Sequence, residues 1–352
     1  MDFTPEPEQQ AVADVVTSVL SRENSWEALV SGGVTALPVP ERLGGDGVGL
    51  SEVATALTEI GRHGTISPAL STLGLTLIPL LDLATDAQQD RYLAGVAKGT
   101  VLTAALNERA DALPEQPATT LSDNRLSGTK IGVAYADTAE WMLVTTDSGV
   151  VVVSPKADGV RLTRTPTSNH SDEYVVEFTD VAVADEDVLA GASVHRVNQL
   201  AMAMIGAYAS GLVAGALRLT ADYVGSREQF GRPLSTFQTV AAQLSEVYIV
   251  SRTITLAATS VVWRLANGPG DDDLTESDLG VLGYWITSEA PPMMQICHHL
   301  HGGMGMDIDY PMDRYYSTIK DLSRLLGGKS HRLDLVPIVT PAGRRPETKV
   351  GA

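Results

Sequence analysis

The chain has 352 residues, of which 44% are hydrophobic and 5% aromatic, so it is long enough for two or three domains with largely aliphatic cores. Its formal net charge of −18 argues against nucleic acid and anionic membrane surfaces as main partners. The single cysteine, Cys297, excludes an internal disulfide and, with an acidic start that lacks a signal-peptide pattern, favours the cytoplasm.

The first hundred residues predict a helical domain over residues 1–99. Residues 4–22 begin with a Thr-Pro pair and carry apolar residues on one face, which is typical of a helix. The glycine-rich segment 38–49 follows no strand, so a structural turn is favoured over a phosphate-binding loop. Further helices are predicted at about 50–63, 68–83 and 86–98.

The pattern changes near residue 100, where short segments rich in valine and threonine alternate with Gly, Asp and Ser turns. This predicts a β domain over residues 100–191. The expected strands are 101–106, 126–134, 141–146, 150–154, 160–165 and 174–178.

From about residue 194 the apolar residues recur with a helical period, which predicts a helical bundle over residues 192–340. The expected helical segments are 195–228, 234–266, 275–301 and 311–327. Residues 341–352 are predicted to form a flexible tail. No apolar run approaches the ~18–20 residues of a membrane span, and we expect Cys297 to be a core residue.

Two distant motifs carry groups that suit a flat anionic cofactor. Arg227 offers a permanently charged fork for a pyrophosphate, and Phe230 offers an aromatic face. Gln238 follows in the same segment with an amide group. About seventy residues on, Gly302 and Gly303 would let backbone N–H groups approach a ligand closely.

The same residues also allow simpler interpretations. Arg227 could form a surface ion pair with Glu228 or Glu246, and Phe230 could serve packing alone. The run His298-His299-Leu300-His301 invites a metal site. Adjacent histidines on a helix point about 100° apart, and no cysteine or acid stands at ligand spacing, so we predict no metal site.

Four segments in this order resemble the acyl-CoA dehydrogenase family: the loop 38–49, the stretch 178–189, the 227–238 motif, and the 301–311 segment. The resemblance implies an α+β fold with an N-terminal helical domain, a middle β domain and a C-terminal four-helix bundle. It also implies FAD bound across a subunit interface, with its adenosine and pyrophosphate end against the neighbour's arginine motif and glycine loop. In the family a glutamate removes the α proton of an acyl-CoA thioester while flavin N5 accepts the β hydride.

The chain departs from the family where the chemistry occurs. The two positions at which the family places its glutamate fall at Leu326-Gly327 and at Ala201, and none of these residues accepts a proton. The nearest acids, Asp321 and Asp334, are out of register. We therefore predict that this chain has no catalytic residue of its own.

The part of the family site that holds the flavin ring is also altered. Residues 106–114 lack the Gly-Ser pair of the family's flavin loop, and the family's tryptophan and threonine positions are Gly132 and Ala134. We expect the missing groups to leave space next to the partner subunit, which would admit a bulky acyl group such as a steroid. His299 replaces a glutamine before the glycine pair, but it can still donate a hydrogen bond.

The motifs resemble in particular the smaller, non-catalytic subunit of actinobacterial heterotetrameric dehydrogenases that act on steroid-CoA side chains in cholesterol breakdown. This resemblance implies a paralogous catalytic partner in an α2β2 assembly, a steroid acyl-CoA substrate and an electron-accepting flavoprotein. The residues expected to contact FAD are Arg227, Phe230, Gln238, His299, Gly302 and Gly303. Two alternatives stay open: a self-sufficient homo-oligomer with an unrecognised base, and a structural subunit that binds no FAD.

Overall fold

A computed structural model of the chain describes residues 3–268 and 273–336. The α-helices in these ranges are α1 (Pro7–Leu20), α2 (Trp26–Ser31), α3 (Leu50–Arg62), α4 (Ile78–Leu83), α5 (Asp86–Leu93), α6 (Val194–Ser226), α7 (Gln238–Asn267), α8 (Asp273–Ser288), α9 (Ala290–His301), α10 (Met312–Leu325) and α11 (Gly328–Asp334). The strands are β1 (Leu102–Ala105), β2 (Thr120–Ser122), β3 (Arg125–Ala134), β4 (Trp141–Thr146), β5 (Gly149–Val153), β6 (Val160–Thr165), β7 (Glu173–Ala182), β8 (Val188–Leu189), β9 (Glu228–Gln229) and β10 (Arg232–Pro233). A π-helix at Leu70–Leu77 leads into α4.

The order of helices, strands and helices confirms the predicted fold class. Helix α1 starts later than expected because Glu6, not Thr4, precedes it and forms a capping box with Gln9. The short elements α2, β2 and β8 were not predicted. The domain boundaries stay a prediction, and the expected tail at 341–352 lies outside the described residues.

One predicted helix is two. The segment 275–301 divides at Glu289, which stands between α8 and α9. Pro291 and Pro292 follow at once, and proline has no N–H with which to bond the carbonyl four residues earlier. The prediction of one continuous helix was therefore wrong, although the two pieces follow each other directly.

The strands form two four-stranded sheets whose inner faces pack on each other. One sheet has the order β1-β4-β5-β8, with β1 and β4 parallel, and the other has the order β2-β3-β7-β6. Buried side chains from both sheets fill the space between them, among them Leu126, Val144, Val151, Val176 and Phe178. The outer face of the first sheet packs against the helices, so this sheet links the two helical regions.

Helix α6 is the centre of the molecule and contacts α3, α7, α8, α9 and α10. Among the described residues it is the one helix long and apolar enough to cross a membrane, and 89% of the relevant window is buried inside the protein. The statement that no apolar run approaches this length was therefore wrong. The burial explains the composition, because a helix surrounded by other helices has no polar face.

The packing of α6 against α3 depends on glycine. A Cβ atom at Gly211 would lie 1.9 Å from the carbonyl oxygen of Thr58, and one at Gly61 would lie 2.3 Å from that of Tyr208. The two backbones are thus in direct contact. Cys297 is fully buried on α9, as expected of a core residue, and burial raises the pKa of its thiol to about 11.

Candidate functional site

The arginine motif forms a small hairpin at the C-terminal end of α6. Arg227 follows the helix directly; its N–H donates to the carbonyl of Tyr223 at 2.8 Å, and its own carbonyl accepts from the N–H of Leu234 at 2.9 Å. Strands β9 and β10 pair on either side of a two-residue turn, Phe230 and Gly231, with φ of 54° and 77°. Two central residues with positive φ match the turn that suits the twist of a hairpin.

The hairpin side chains face solvent. The Phe230 ring is 92% exposed and meets Phe237 edge-on, with 6.2 Å between ring centroids. Arg227 is exposed, and among the described residues its guanidinium makes no ion pair with Glu228 or Glu246. Neither the ion-pair interpretation of Arg227 nor the packing interpretation of Phe230 therefore accounts for these residues.

Gln238 is the first residue of α7 and is exposed. No side chain caps this helix, so the N–H groups of its first turn carry the positive end of the helix dipole without a capping acceptor. The N-terminus of α7 follows the hairpin that bears Arg227. The segment thus carries two groups that attract anions, an exposed guanidinium and an uncapped helix start.

The glycine pair forms an open turn after α9. Gly302 has φ 59° and ψ −136°, a conformation that favours glycine. A Cβ at Gly302 or Gly303 would meet no atom within 4 Å, so a ligand could reach this backbone. His299 is exposed one turn earlier on α9.

The structure brings these two segments to the same end of α6. His301, which directly precedes the glycine pair, places its ring 4.5 Å from the ring of Tyr223, and Tyr223 accepts the Arg227 N–H. Across the described residues, no group of three or more His, Cys, Asp and Glu side chains could hold a metal ion. The role of the six predicted residues in cofactor binding stays a prediction.

A second region lies between the π-helix, the strands, α6 and α10. It contains a cavity of about 100 Å³ whose lining includes Gly132, Ala134, Tyr135, Tyr208 and Leu325. Of the positions where the family places its glutamate, Ala201 and Leu326 are fully buried and Gly327 is exposed. The cavity is smaller than the ~150 Å³ that accommodates a benzene-sized molecule. This cavity has no room for a bulky acyl group, and the expected space beside the partner subunit stays a prediction.

Two acidic residues line this cavity, and other groups of the chain form hydrogen bonds with both carboxylates. The carboxylate of Asp321 accepts from the backbone N–H groups of Ser168 at 3.0 Å and Asn169 at 2.9 Å. Glu173, which the sequence analysis did not consider, accepts from Arg324 at 2.6 Å and from the Thr165 hydroxyl at 3.1 Å. Both carboxylates are therefore held in position by groups of this chain.

The loop that departs from the family's flavin loop is fixed against α10. The side-chain amide of Asn107 donates to the Leu325 carbonyl at 2.7 Å, and its oxygen accepts from the Leu113 N–H at 2.9 Å. Glu108 binds the buried Lys130 at 2.9 Å. The loop thus bonds to its own chain at the edge of the cavity.

Comparison with known protein families matches two parts of the chain. Residues 196–333 match the acyl-CoA dehydrogenase C-terminal domain, and residues 6–100 match the acyl-CoA dehydrogenase N-terminal domain. Acyl-CoA dehydrogenase FadE28 of Mycobacterium tuberculosis is 73% identical over 336 residues, which cover 96% of this chain and 98% of that protein. The chain belongs to the acyl-CoA dehydrogenase family.

Two solved structures share the fold along nearly the whole chain. The ChsE4-ChsE5 complex from Mycobacterium tuberculosis contains a chain that is 27% identical, with a TM-score of 0.85 and coverage of 95% of this chain and 97% of that one. The Tcur3481-Tcur3483 steroid ACAD, G363A variant, contains one that is 29% identical, with a TM-score of 0.83 and coverage of 94% and 96%. Family membership supports an oxidoreductase that acts on CH–CH bonds and indicates FAD as the cofactor.

Two parts of this acyl-CoA dehydrogenase chain bear on FAD. The exposed arginine, the uncapped helix start and the open glycine backbone are groups that suit phosphates. The cavity of about 100 Å³ is too small for a three-ring flavin. Residues 111–114 of the loop also line a larger cavity of about 670 Å³, together with Met202, His331 and Arg332.

Proposed function

We propose that this chain is the non-catalytic subunit of a heteromeric FAD-dependent acyl-CoA dehydrogenase. A paralogous partner supplies the glutamate and the pocket for the flavin ring. This chain completes the partner's cofactor site at the adenosine and pyrophosphate end. The assembly is an α2β2 heterotetramer in the cytoplasm and passes its electrons to a flavoprotein acceptor.

One observation carries the proposal: Arg227 is exposed, while the positions where the family places its glutamate are Ala201, Leu326 and Gly327, none of which can accept a proton. A self-sufficient dehydrogenase needs both the phosphate-binding groups and a base of its own. A structural subunit without a cofactor role would have no reason to expose an unpaired arginine and a Phe230 ring that is 92% accessible. Each of the two alternatives therefore leaves one of these two features unexplained.

In the proposed complex the residues of this chain bind and orient. Arg227 and the first turn of α7 neutralise the pyrophosphate, and the backbone N–H groups at Gly302 and Gly303 donate to it. Phe230 and Gln238 contact the adenosine end, together with His299. Bound FAD supplies a two-electron acceptor for the Cα–Cβ dehydrogenation.

The substrate we propose is a steroid side-chain acyl-CoA. The support is that one structural neighbour is described as a steroid ACAD and that both neighbours are two-component proteins. With a cavity of about 100 Å³ in this chain, the acyl group binds in the partner's site. Turnover of the purified complex with steroid acyl-CoA and with straight-chain acyl-CoA thioesters tests this choice.

Purification decides between the three candidate functions. The chain expressed alone is expected to contain no flavin, and the chain co-expressed with its paralogous partner is expected to contain one FAD per pair of subunits. Flavin released by denaturation is counted against protein. A flavin-loaded, active chain on its own would establish the self-sufficient enzyme instead.

Arg227→Ala in the complex is expected to weaken FAD binding by about tenfold to a hundredfold, because a charge-assisted bond to phosphate contributes ~1.5–3 kcal/mol. The control is Arg218→Ala, which removes the same charge from α6, the helix that Arg227 follows, at a side chain that is 79% exposed. Titration of the deflavinated complex with FAD measures both. Equal affinity of the Arg227 variant and the wild type would favour a structural subunit.

A further inference from the structure

His301 is a buried histidine that the proposed function does not use. Its ring is 1% exposed and lies between α6 and the turn that follows α9. Nε2 is 3.3 Å from the hydroxyl of Thr220, and Nδ1 is 3.0 Å from the hydroxyl of Tyr310. Such a set of contacts fixes the ring in position and in orientation.

The hydrogen bonds assign the tautomer. The Thr220 hydroxyl donates to the Ala216 carbonyl at 2.7 Å, so its oxygen accepts from the histidine. His301 therefore carries its proton on Nε2, and its Nδ1 accepts from the Tyr310 hydroxyl. Burial lowers the pKa of His301 to about 4, which agrees with a neutral ring that acts once as donor and once as acceptor.

The same ring connects the two segments of the candidate site. On one side it packs on Tyr223, whose carbonyl accepts the N–H of Arg227 at 2.8 Å. On the other side the chain continues directly into Gly302 and Gly303. Tyr310 lies beyond the glycine turn, so its bond to Nδ1 closes the segment 301–310 on itself.

We propose that His301 is a positioning residue that holds the arginine hairpin and the glycine turn in a fixed relation, so that both grip one dinucleotide phosphate group. This rests on the proposed function. The ring itself is buried and touches no ligand; it acts through Arg227 and through the 302–303 backbone. Its contribution is preorganisation, because segments already held in place lose less freedom when a ligand binds.

The test uses the complex of this chain with its paralogous partner, deflavinated and titrated with FAD. His301→Phe keeps a ring against Tyr223 but removes both hydrogen bonds, and Tyr310→Phe removes one hydroxyl. His301→Gln keeps a donor and an acceptor. The control, Tyr315→Phe, removes a similar hydroxyl, which donates to the Arg62 carbonyl at 2.8 Å on the N-terminal side.

Each lost hydrogen bond is expected to raise the Kd for FAD about threefold to tenfold, with His301→Phe above Tyr310→Phe and His301→Gln close to wild type. Tyr315→Phe leaves the Kd unchanged. In an Arg227→Ala background the effect of His301→Phe shrinks, because the group being positioned is gone. A purely structural histidine would instead lower the melting temperature of the deflavinated complex without this coupling.

The outcomes separate the two proposals. If Arg227→Ala weakens FAD binding but His301→Phe and Tyr310→Phe do not, the positioning role is wrong and the proposed function stands. Additive effects of Arg227→Ala and His301→Phe also refute it. If Arg227→Ala itself leaves the Kd unchanged, the proposed function fails, and with it the site that His301 would organise. Tyr310→Phe keeps the test available if His301→Phe does not fold.

Discussion

Gly211→Ala is expected to lower the free energy of unfolding by about 3 kcal/mol or to prevent folding. The added Cβ would lie 1.9 Å from the Thr58 carbonyl oxygen and 2.8 Å from the Arg62 amide nitrogen. Both are backbone atoms of α3, so no side chain can move aside. The helices themselves would have to separate, and α6 contacts most of the other helices of the molecule.

Gly225→Ala is the matched control on the same helix. A Cβ at Gly225 would meet no atom within 4 Å, so replacing this helical glycine is expected to stabilise the protein by about 0.5–1 kcal/mol. Urea unfolding followed by circular dichroism measures both variants. If they changed stability by the same amount, the close contact of α3 and α6 would not be what limits residue 211.

The sequence was sufficient for elements whose pattern is local. Strands β4 and β6 have the predicted bounds, because each is a short run containing Val, Leu and two Thr between clear turns. The sequence was insufficient where a distant part of the chain decides. Helix α6 is apolar on every side because α3, α4 and four helices of the C-terminal region surround it, and the period of a single segment does not reveal its neighbours.

The candidate site likewise has one part that a local motif indicates and one part that distant residues decide. The hairpin at Phe230 and Gly231 follows from a short motif with a glycine in a tight turn. The small cavity does not follow from a local motif. Its lining includes Glu173, whose carboxylate meets Arg324 at 2.6 Å although 151 residues separate the two. Absent family residues suggested space there. In the structure Leu325 lies next to this place, since a Cβ at Gly132 would be 3.4 Å from its Cδ1.

Glu108→Gln is expected to lower the free energy of unfolding by about 3–5 kcal/mol, because it leaves the ammonium of Lys130 buried without its carboxylate. Lys130 is 0% exposed and lies 2.9 Å from Glu108. Burial already lowers the pKa of Lys130. The stability lost is that of the 106–114 loop, which by the family resemblance corresponds to the flavin loop.

The two partners of this pair are not equivalent. Without the lysine, Glu108 keeps donors from Ala118 and Thr119, at 2.6–2.9 Å, so Lys130→Met is expected to cost less than Glu108→Gln. Lys130→Met added to Glu108→Gln is expected to restore part of the stability. Equal losses for the two single variants would contradict this asymmetry.

The dependence of stability on acid pH tests the contact between Glu108 and Lys130 independently. Burial raises the pKa of Glu108, but hydrogen bonds from Thr119, Ala118 and Lys130 outweigh it and hold the pKa below its usual value of 4.5. A carboxyl with a lower pKa in the folded state stabilises the protein above its unfolded pKa, and this contribution disappears as the pH falls through the folded pKa. The wild type is expected to lose stability over that acid range by more than Glu108→Gln does. Parallel losses in urea titrations at neutral and acid pH would show that the 106–114 loop does not depend on the charge of Glu108.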